Sequence, residues 1–291
     1  MHTFANLNTI YKEKLKEKDF LKLQKLIEGE YGIKMPVSKK DMLEARLRKR
    51  LKVLQLSDFT QYCNYLFSKA GMKDELINML DMVTTNKTDF FRESDHFDFL
   101  VKSILPEMIT GQGLGINKKL MIWSAGCSTG EEPYTLAMVL NEFRERVPGL
   151  SLQYMILATD LSSRVLENAK RAVYHENKIA PVPENIKKKY IMRSKDSSKK
   201  LVRIVPELRT LIKFRRLNFL DSNYGMREPI DIVFFRNVQI YFEKQTQYSI
   251  LLKIYKAMRA GGYLFIGHSE TINGFDIPFE QIKPTIYKKV I

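Results

Sequence analysis

Five short apolar runs, LMIWSAG, YMILATD, LIKFRRLNFLD, DIVFFRN and GYLFIGHSE, recur from Leu120 onward, and several close on Gly or Asp before a longer amphipathic stretch begins. This is how repeated βα units look in sequence, and it predicts a parallel sheet covered by helices. Within that region the segment KKYIMRSKDSSKKLVRIVPELRTLIKF, about 188–215, alternates around a polar SKDSSKK turn. It predicts a small antiparallel hairpin inserted into the α/β domain. QIKPTIYKKVI closes the chain.

Residues 1–83 follow a different period. Phe20, Leu23, Leu26 and Ile27, and then Leu43, Leu47, Leu51 and Leu54, recur at helical spacing and predict a small all-helical N-terminal domain. Ser38 with Asp41 three residues on, and Ser57 ahead of DFTQYCNYLF, read as helix N-caps. Residues 84–110 connect the two parts through the polar stretch TTNKTD and a helix expected to begin near Phe90. The α/β domain then occupies 111–291.

The charge balance narrows the partners. Lys+Arg number 48 against 33 Asp+Glu, a formal charge of +15, which implies an acidic partner such as nucleic acid, an anionic membrane surface or an acidic protein. No apolar run approaches the roughly 18 residues of a membrane span, and the first residues have no apolar signal core. A soluble, cytoplasmic chain is expected. Two cysteines cannot build a disulfide framework, and the four histidines show no metal-ligand spacing. Reduced thiols and no metal are expected.

The strongest local signal is Ile122-Trp123-Ser124-Ala125-Gly126-Cys127-Ser128-Thr129-Gly130-Glu131-Glu132, a strand entering a small-residue turn and then a helix. A dinucleotide pyrophosphate would want a third glycine and a helix start free of acids, whereas Glu131 and Glu132 repel phosphate. A cationic or zwitterionic nucleotide suits this turn better. Asp160 ends the next strand, where it can accept both hydroxyls of a ribose or simply cap the helix beginning SSRVLENAK. Asn218-Phe219-Leu220-Asp221 and Arg236-Asn237-Val238-Gln239-Ile240-Tyr241 stand at two further strand ends. Four such ends converging on one crevice is how an open parallel sheet holds a nucleotide.

These residues resemble the chemotaxis receptor glutamate methyltransferases, the CheR family. The likeness runs over nearly the whole chain, through TTNKTDFFRE from Thr84, SAGCSTGEEPYTLAM from Ser124, ATDLS from Ala158, FRNVQIYF from Phe235 and GHSE from Gly267. It implies a Rossmann-like class I methyltransferase domain with an inserted antiparallel β-subdomain, preceded by an all-helical domain. It also implies S-adenosyl-L-methionine as cofactor and S-adenosyl-L-homocysteine as product. Carried over by motif, the cofactor contacts fall on Asn86, Thr88, Arg92, Ala125, Glu132 (with Glu131 as the alternative), Asp160, Asn218, Phe219, Asn237 and Val238. Gln239 stands where the family usually has an aliphatic residue, and Phe235 where it often has cysteine.

The implied reaction is methylation of glutamate side chains on cytoplasmic chemoreceptor helices, tuning chemotactic adaptation. A carboxylate with a pKa near 4.3 is already ionised at neutral pH, so no general base is required. Arg92 and Tyr241 are the expected catalytic residues, Arg92 through a fork that matches a carboxylate and Tyr241 through its hydroxyl. His268 is expected to be structural, because no proton has to be removed. The segment Lys39 to Lys52 carries seven basic and two acidic residues. Arg46, Lys49 and Arg50 on one flank of that helix are expected to steer acidic receptor helices. The insert could take a receptor's C-terminal peptide as an added strand, as in some relatives.

A monomer without nucleic-acid binding or membrane insertion is expected. A nucleic-acid methyltransferase would share fold and charge, but the Asn/Asp-Pro-Pro-aromatic run it generally uses is replaced here by Arg236-Asn237-Val238-Gln239. A non-enzymatic scaffold that binds S-adenosylmethionine on receptor arrays is the second alternative.

Overall fold

A computed structural model describes residues 13–84 and 87–290. They form two compact units, one made of residues 13–84 with Tyr241–Thr246, the other of 87–240 with 247–290. Among the described residues no helix is long and apolar enough to cross a membrane.

The first unit holds α1 (Glu17–Tyr31), α2 (Lys40–Leu54), α3 (Phe59–Leu66), α4 (Lys69–Asp74) and α5 (Leu76–Val83). Phe20, Leu23 and Ile27 of α1 and Leu43, Leu47 and Leu51 of α2 are buried, so the helical stripes face a core. The caps differ from expectation. Pro36 leads into a 3-10 turn, Val37–Lys39, so α2 starts at Lys40 without a side-chain cap, and Ser38 caps nothing. Asp58 rather than Ser57 caps α3 by accepting from the Gln61 N–H, while the Ser57 hydroxyl donates to Asp58.

In the second unit the connecting helix begins at Asp95, five residues later than expected. Phe91 and Glu93 both take φ 54, a left-handed conformation that no helix can continue through. From there α6 (Asp95–Phe99) runs through a π turn, Leu100–Ile104, into α7 (Leu105–Gln112). Next come β1 (Leu120–Ala125), α8 (Glu131–Arg146), β2 (Tyr154–Asp160) and α9 (Ser163–Arg171). β3 (Val173–His175), α10 (Glu184–Tyr190), β4 (Ile191–Arg193), β5 (Leu201–Ile204) and α11 (Pro206–Arg209) follow. The chain ends with β6 (Ile212–Arg216), β7 (Ile230–Phe235), α12 (Lys244–Ala257), β8 (Met258–Ile266), β9 (Phe279–Lys283) and β10 (Ile286–Lys289).

The main sheet has the order β6-β2-β1-β7-β8-β10-β9. Its first five strands are parallel, and β10 and β9 add an antiparallel hairpin. Every residue of β7 is buried, as a strand covered on both faces requires. The chain steps from β1 outward through β2 to β6, then returns to β7 on the other side of β1. The crevice outside the carboxyl ends of β1 and β7 is therefore the topological switch point, where such sheets bind ligands.

The insert is a three-stranded antiparallel sheet with the order β3-β5-β4, so it spans Val173 to Ile204 rather than about 188–215. The expected hairpin is present as β4 and β5. The apolar run at Ile212 belongs to the main sheet, paired in parallel with β2.

Candidate cofactor and active site

At the exit of β1 the main chain needs glycine. Gly126 has φ 89, and a Cβ there would stand 2.5 Å from Val238 Cγ2, while Gly130 has φ 97 just before α8. The turn therefore packs directly against the loop that leaves β7. Asp160 ties it to the neighbouring strand by accepting from the Ser128 N–H (2.9 Å) and the Ser162 N–H (3.0 Å). Ser162, not Asp160, caps α9, so the carboxylate of Asp160 stays at the strand end.

Arg236, the first residue after β7, is the hub. Its side chain is 2% exposed and donates to Glu93 Oε2 from Nε (3.2 Å) and Nη2 (2.9 Å), to Glu132 Oε2 from Nη1 (3.2 Å), and to the carbonyl of Arg92. Glu132 also accepts from the Ser124 hydroxyl at 2.7 Å. Burial pushes the Glu93 carboxyl up, but the charge and hydrogen bonds of Arg236, joined by bonds from the His268 N–H and the Asn237 amide, together outweigh it and hold the group below 4.5. For Glu132 burial wins over Arg236, and the carboxyl is raised. Glu131 is raised by burial as well, relieved in part by the Thr129 hydroxyl that donates to it. Glu132 thus belongs to the Arg236 cluster, and Glu131 to the start of its own helix.

Asn237 follows with φ 58. One buried carboxylate secures that conformation: Glu270 accepts from the N–H groups of Asn237 (2.7 Å), Gln239 (2.8 Å) and Gly267 (2.7 Å). The Asn237 side chain donates to Glu93 at 3.3 Å, closing the ring.

The structure therefore gathers Arg92, Glu132 and Asn237 around Arg236, with Val238 against the glycine turn and Ala125 buried at its entrance. Arg92 is half-exposed and gives Nη1 to the Lys87 carbonyl. The Thr88 carbonyl accepts from Lys178 at 3.2 Å. Phe219 packs on Trp123, Tyr224 and Phe235 in an aromatic cluster, so the unusual Phe235 faces an aromatic partner at 5.2 Å. Asn218 is half-buried, with Oδ1 accepting from the Leu220 N–H. Asn86 lies outside the described residues.

The remaining predicted residues belong to the first unit. Tyr241 is half-buried and its carbonyl accepts from the Lys34 N–H at 2.8 Å. Arg46 donates to the carbonyl of Val83 at 2.6 Å, and Arg50 forms a two-point pair with the buried Glu75 (2.8 and 2.6 Å). Lys49 is exposed.

Three residues that carry the site were not singled out by sequence reasoning: Arg236, Glu93 and Glu270. Each sits inside a quoted motif, but the contacts that define its role are distant: Arg236 meets Glu93 and Arg92 across 143 and 144 positions, and Glu270 meets Asn237 and Gln239 across 33 and 31. The donor set fits S-adenosyl-L-methionine. A turn of small residues bounded by Gly126 and Gly130 admits an adenosyl group at the switch point, Asp160 suits a ribose, and the acidic residues beside Arg92 suit a ligand with both a sulfonium or ammonium and a carboxylate.

Comparison with known proteins agrees. The family described as CheR methyltransferase, SAM binding domain, matches residues 86–288, and the CheR methyltransferase all-alpha domain matches 18–84. A chemotaxis protein methyltransferase of Borreliella burgdorferi is 39% identical over 92% of this chain and 93% of its own. That of Escherichia coli is 34% identical over 94% and 91%, and chemotaxis protein methyltransferase 2 of Pseudomonas aeruginosa 33% over 92% of each. With both of its units matched and the glycine turn, Asp160 and the Arg236 cluster at the sheet's switch point, the chain belongs to the CheR methyltransferase family and binds S-adenosyl-L-methionine.

Proposed function

We propose that this chain methylates glutamate side chains on the cytoplasmic helices of chemoreceptors, producing glutamate methyl esters. The observation that carries the reading is the Arg236 clamp, which fixes the backbone of Arg92 beside the acidic wall of the cofactor turn. When bound, S-adenosyl-L-methionine supplies a methyl group already activated on a sulfonium.

The task left to the protein is alignment and exclusion of water, which can contribute roughly 7–11 kcal/mol in favourable cases. Arg92 presents a half-exposed fork with donors beyond the one used by Lys87, suited to the methionyl carboxylate or to the incoming glutamate. Tyr241 supplies a hydroxyl that orients the acceptor. Thr88, Asn218, Phe219 and Asp160 hold the nucleoside, and no side chain has to remove a proton.

Acidic receptor helices are drawn by the basic flank of α2 formed by Arg46, Lys49 and Arg50, of which Lys49 is exposed. In the insert β5 is central, which leaves β3 and β4 as edges open to strand addition by a receptor's C-terminal peptide.

The test uses purified protein, methyl-labelled cofactor and membranes that contain chemoreceptors. Label released as methanol by alkali, and lost in Arg92→Ala, is the expected result. Label on nucleic acid, or none on receptors while the cofactor still binds, overturns the substrate assignment.

A further inference from the structure

We propose that Glu93, His96 and His268 form a binding site for one late first-row divalent cation, of the zinc or nickel class, and that its occupancy weakens the cofactor site. Each of the three offers a ligand atom, and these atoms all lie within 4.8 Å of one another.

The argument begins with the proton on His96. This imidazole is fully buried, and its Nε2 lies 2.9 Å from the Thr285 hydroxyl. That hydroxyl donates its own hydrogen to the Pro284 carbonyl at 2.6 Å, so it can only accept from the ring. The hydrogen-bond network therefore assigns the proton to Nε2 and leaves a lone pair on Nδ1. Nδ1 makes no hydrogen bond and faces Glu93 Oε2 at 3.8 Å. The Nδ1 lone pair thus has no donor and faces a carboxylate oxygen whose positive partner, Arg236, lies on its other side, so the buried nitrogen carries the cost of an unmade bond until a cation supplies one.

His268 supplies the solvent side. Its ring meets that of His96 edge to face at 5.0 Å, its side chain is 51% exposed, and its Nε2 lies 3.1 Å from Asp95 Oδ1. A cation can reach the pair past His268, with Asp95 at hand as a further oxygen ligand. Two imidazoles with carboxylate select zinc, nickel or copper over magnesium or calcium. Bonds of about 2.0–2.2 Å require the donors to draw in by roughly 1 Å, which the exposed His268 can do by rotation. The Thr285 bond to Nε2 is the outer contact that commonly orients a metal-binding histidine.

The cost falls on Arg236, which holds the same oxygen of Glu93. A bound cation shares that oxygen and repels the guanidinium, loosening the group that also grips Glu132 and the Arg92 carbonyl. The metal site stands on its own geometry; the inhibitory consequence rests on the cofactor reading of these residues.

The test titrates zinc into the full chain against a chromophoric chelator, then measures S-adenosyl-L-homocysteine affinity with and without zinc. One site is expected, weakened roughly tenfold or more in His268→Ala, with homocysteine-product affinity lowered several-fold by zinc in the wild type only. Cobalt in the unmodified protein should show the visible bands of a nitrogen- and oxygen-ligated ion, a check that depends on no variant. Wild type and His268→Ala binding zinc alike, or no cobalt bands, overturns the site. Zinc binding with unchanged product affinity overturns the coupling alone, and neither result bears on whether receptors are methylated.

Discussion

Arg236 donates through Nη2 to the backbone carbonyl of Arg92, so one arginine fixes the main chain of another across 144 positions of sequence. The same guanidinium separates Glu93 from Glu132, which would otherwise face each other as two buried acids. Arg236→Gln should lower unfolding stability by about 3–5 kcal/mol, the usual consequence of leaving a buried charge without its partner. Denaturant unfolding measures that loss. Calorimetric titration with S-adenosyl-L-homocysteine should show binding weakened even where the variant is fully folded.

The basic flank of α2 divides into structural and solvent-facing charges. Arg50→Ala strands Glu75, which is 1% exposed, and should cost about 3 kcal/mol of stability. Lys49→Glu has no such partner to abandon and should leave the unfolding midpoint unchanged while lowering receptor methylation at low salt. Equal methylation by wild type and Lys49→Glu across a salt series would remove the steering role from this residue.

Glu131 should make the protein less stable as pH rises. Burial raises its carboxyl above 4.5, the value taken for an unperturbed Glu, so the folded chain binds this proton more tightly than the unfolded one. Its contribution to stability is then complete below about 4.5 and declines as pH climbs through the folded value. Glu131→Gln should therefore raise the melting temperature at pH 8 and give no gain at pH 4. A gain of equal size at both would assign the effect to packing.

Gln239 is buried, and neither end of its side-chain amide has a hydrogen-bond partner. Its backbone N–H keeps its bond to Glu270 whatever the side chain. Gln239→Leu should stabilise the fold by about 1 kcal/mol, since the apolar residue brings no unsatisfied group into the interior. A loss of stability in denaturant titration would show that the amide meets a need the protein contacts do not reveal.

The sheet was legible because its period is local. LMIWSAG and DIVFFRN became β1 and β7, and Leu43, Leu47 and Leu51 became the buried face of α2. The edges of elements were less legible. Nothing between Phe90 and Ser94 announces that Phe91 and Glu93 take left-handed φ, because the cause is a grip from Arg236 far along the chain. The insert was placed too late because β3, only three residues long, is specified by pairing with β5 rather than by its own pattern. In GHSE it is Glu270 that holds the loop. Its role depends on three backbone N–H groups that only the folded chain assembles.

That carboxylate sets a schedule for protein synthesis. Asn237 is held by a residue 33 positions downstream, and His96 rests on Thr285, 189 positions away. A ribosome that has translated the glycine turn, Asp160 and Arg236 has made most of the chemistry without the means to lock it in shape. Until Glu270 has been synthesised and has cleared the exit tunnel, the nascent chain has nothing to hold the Asn237 backbone at φ 58, so this side of the pocket forms only after a further 33 residues have been added.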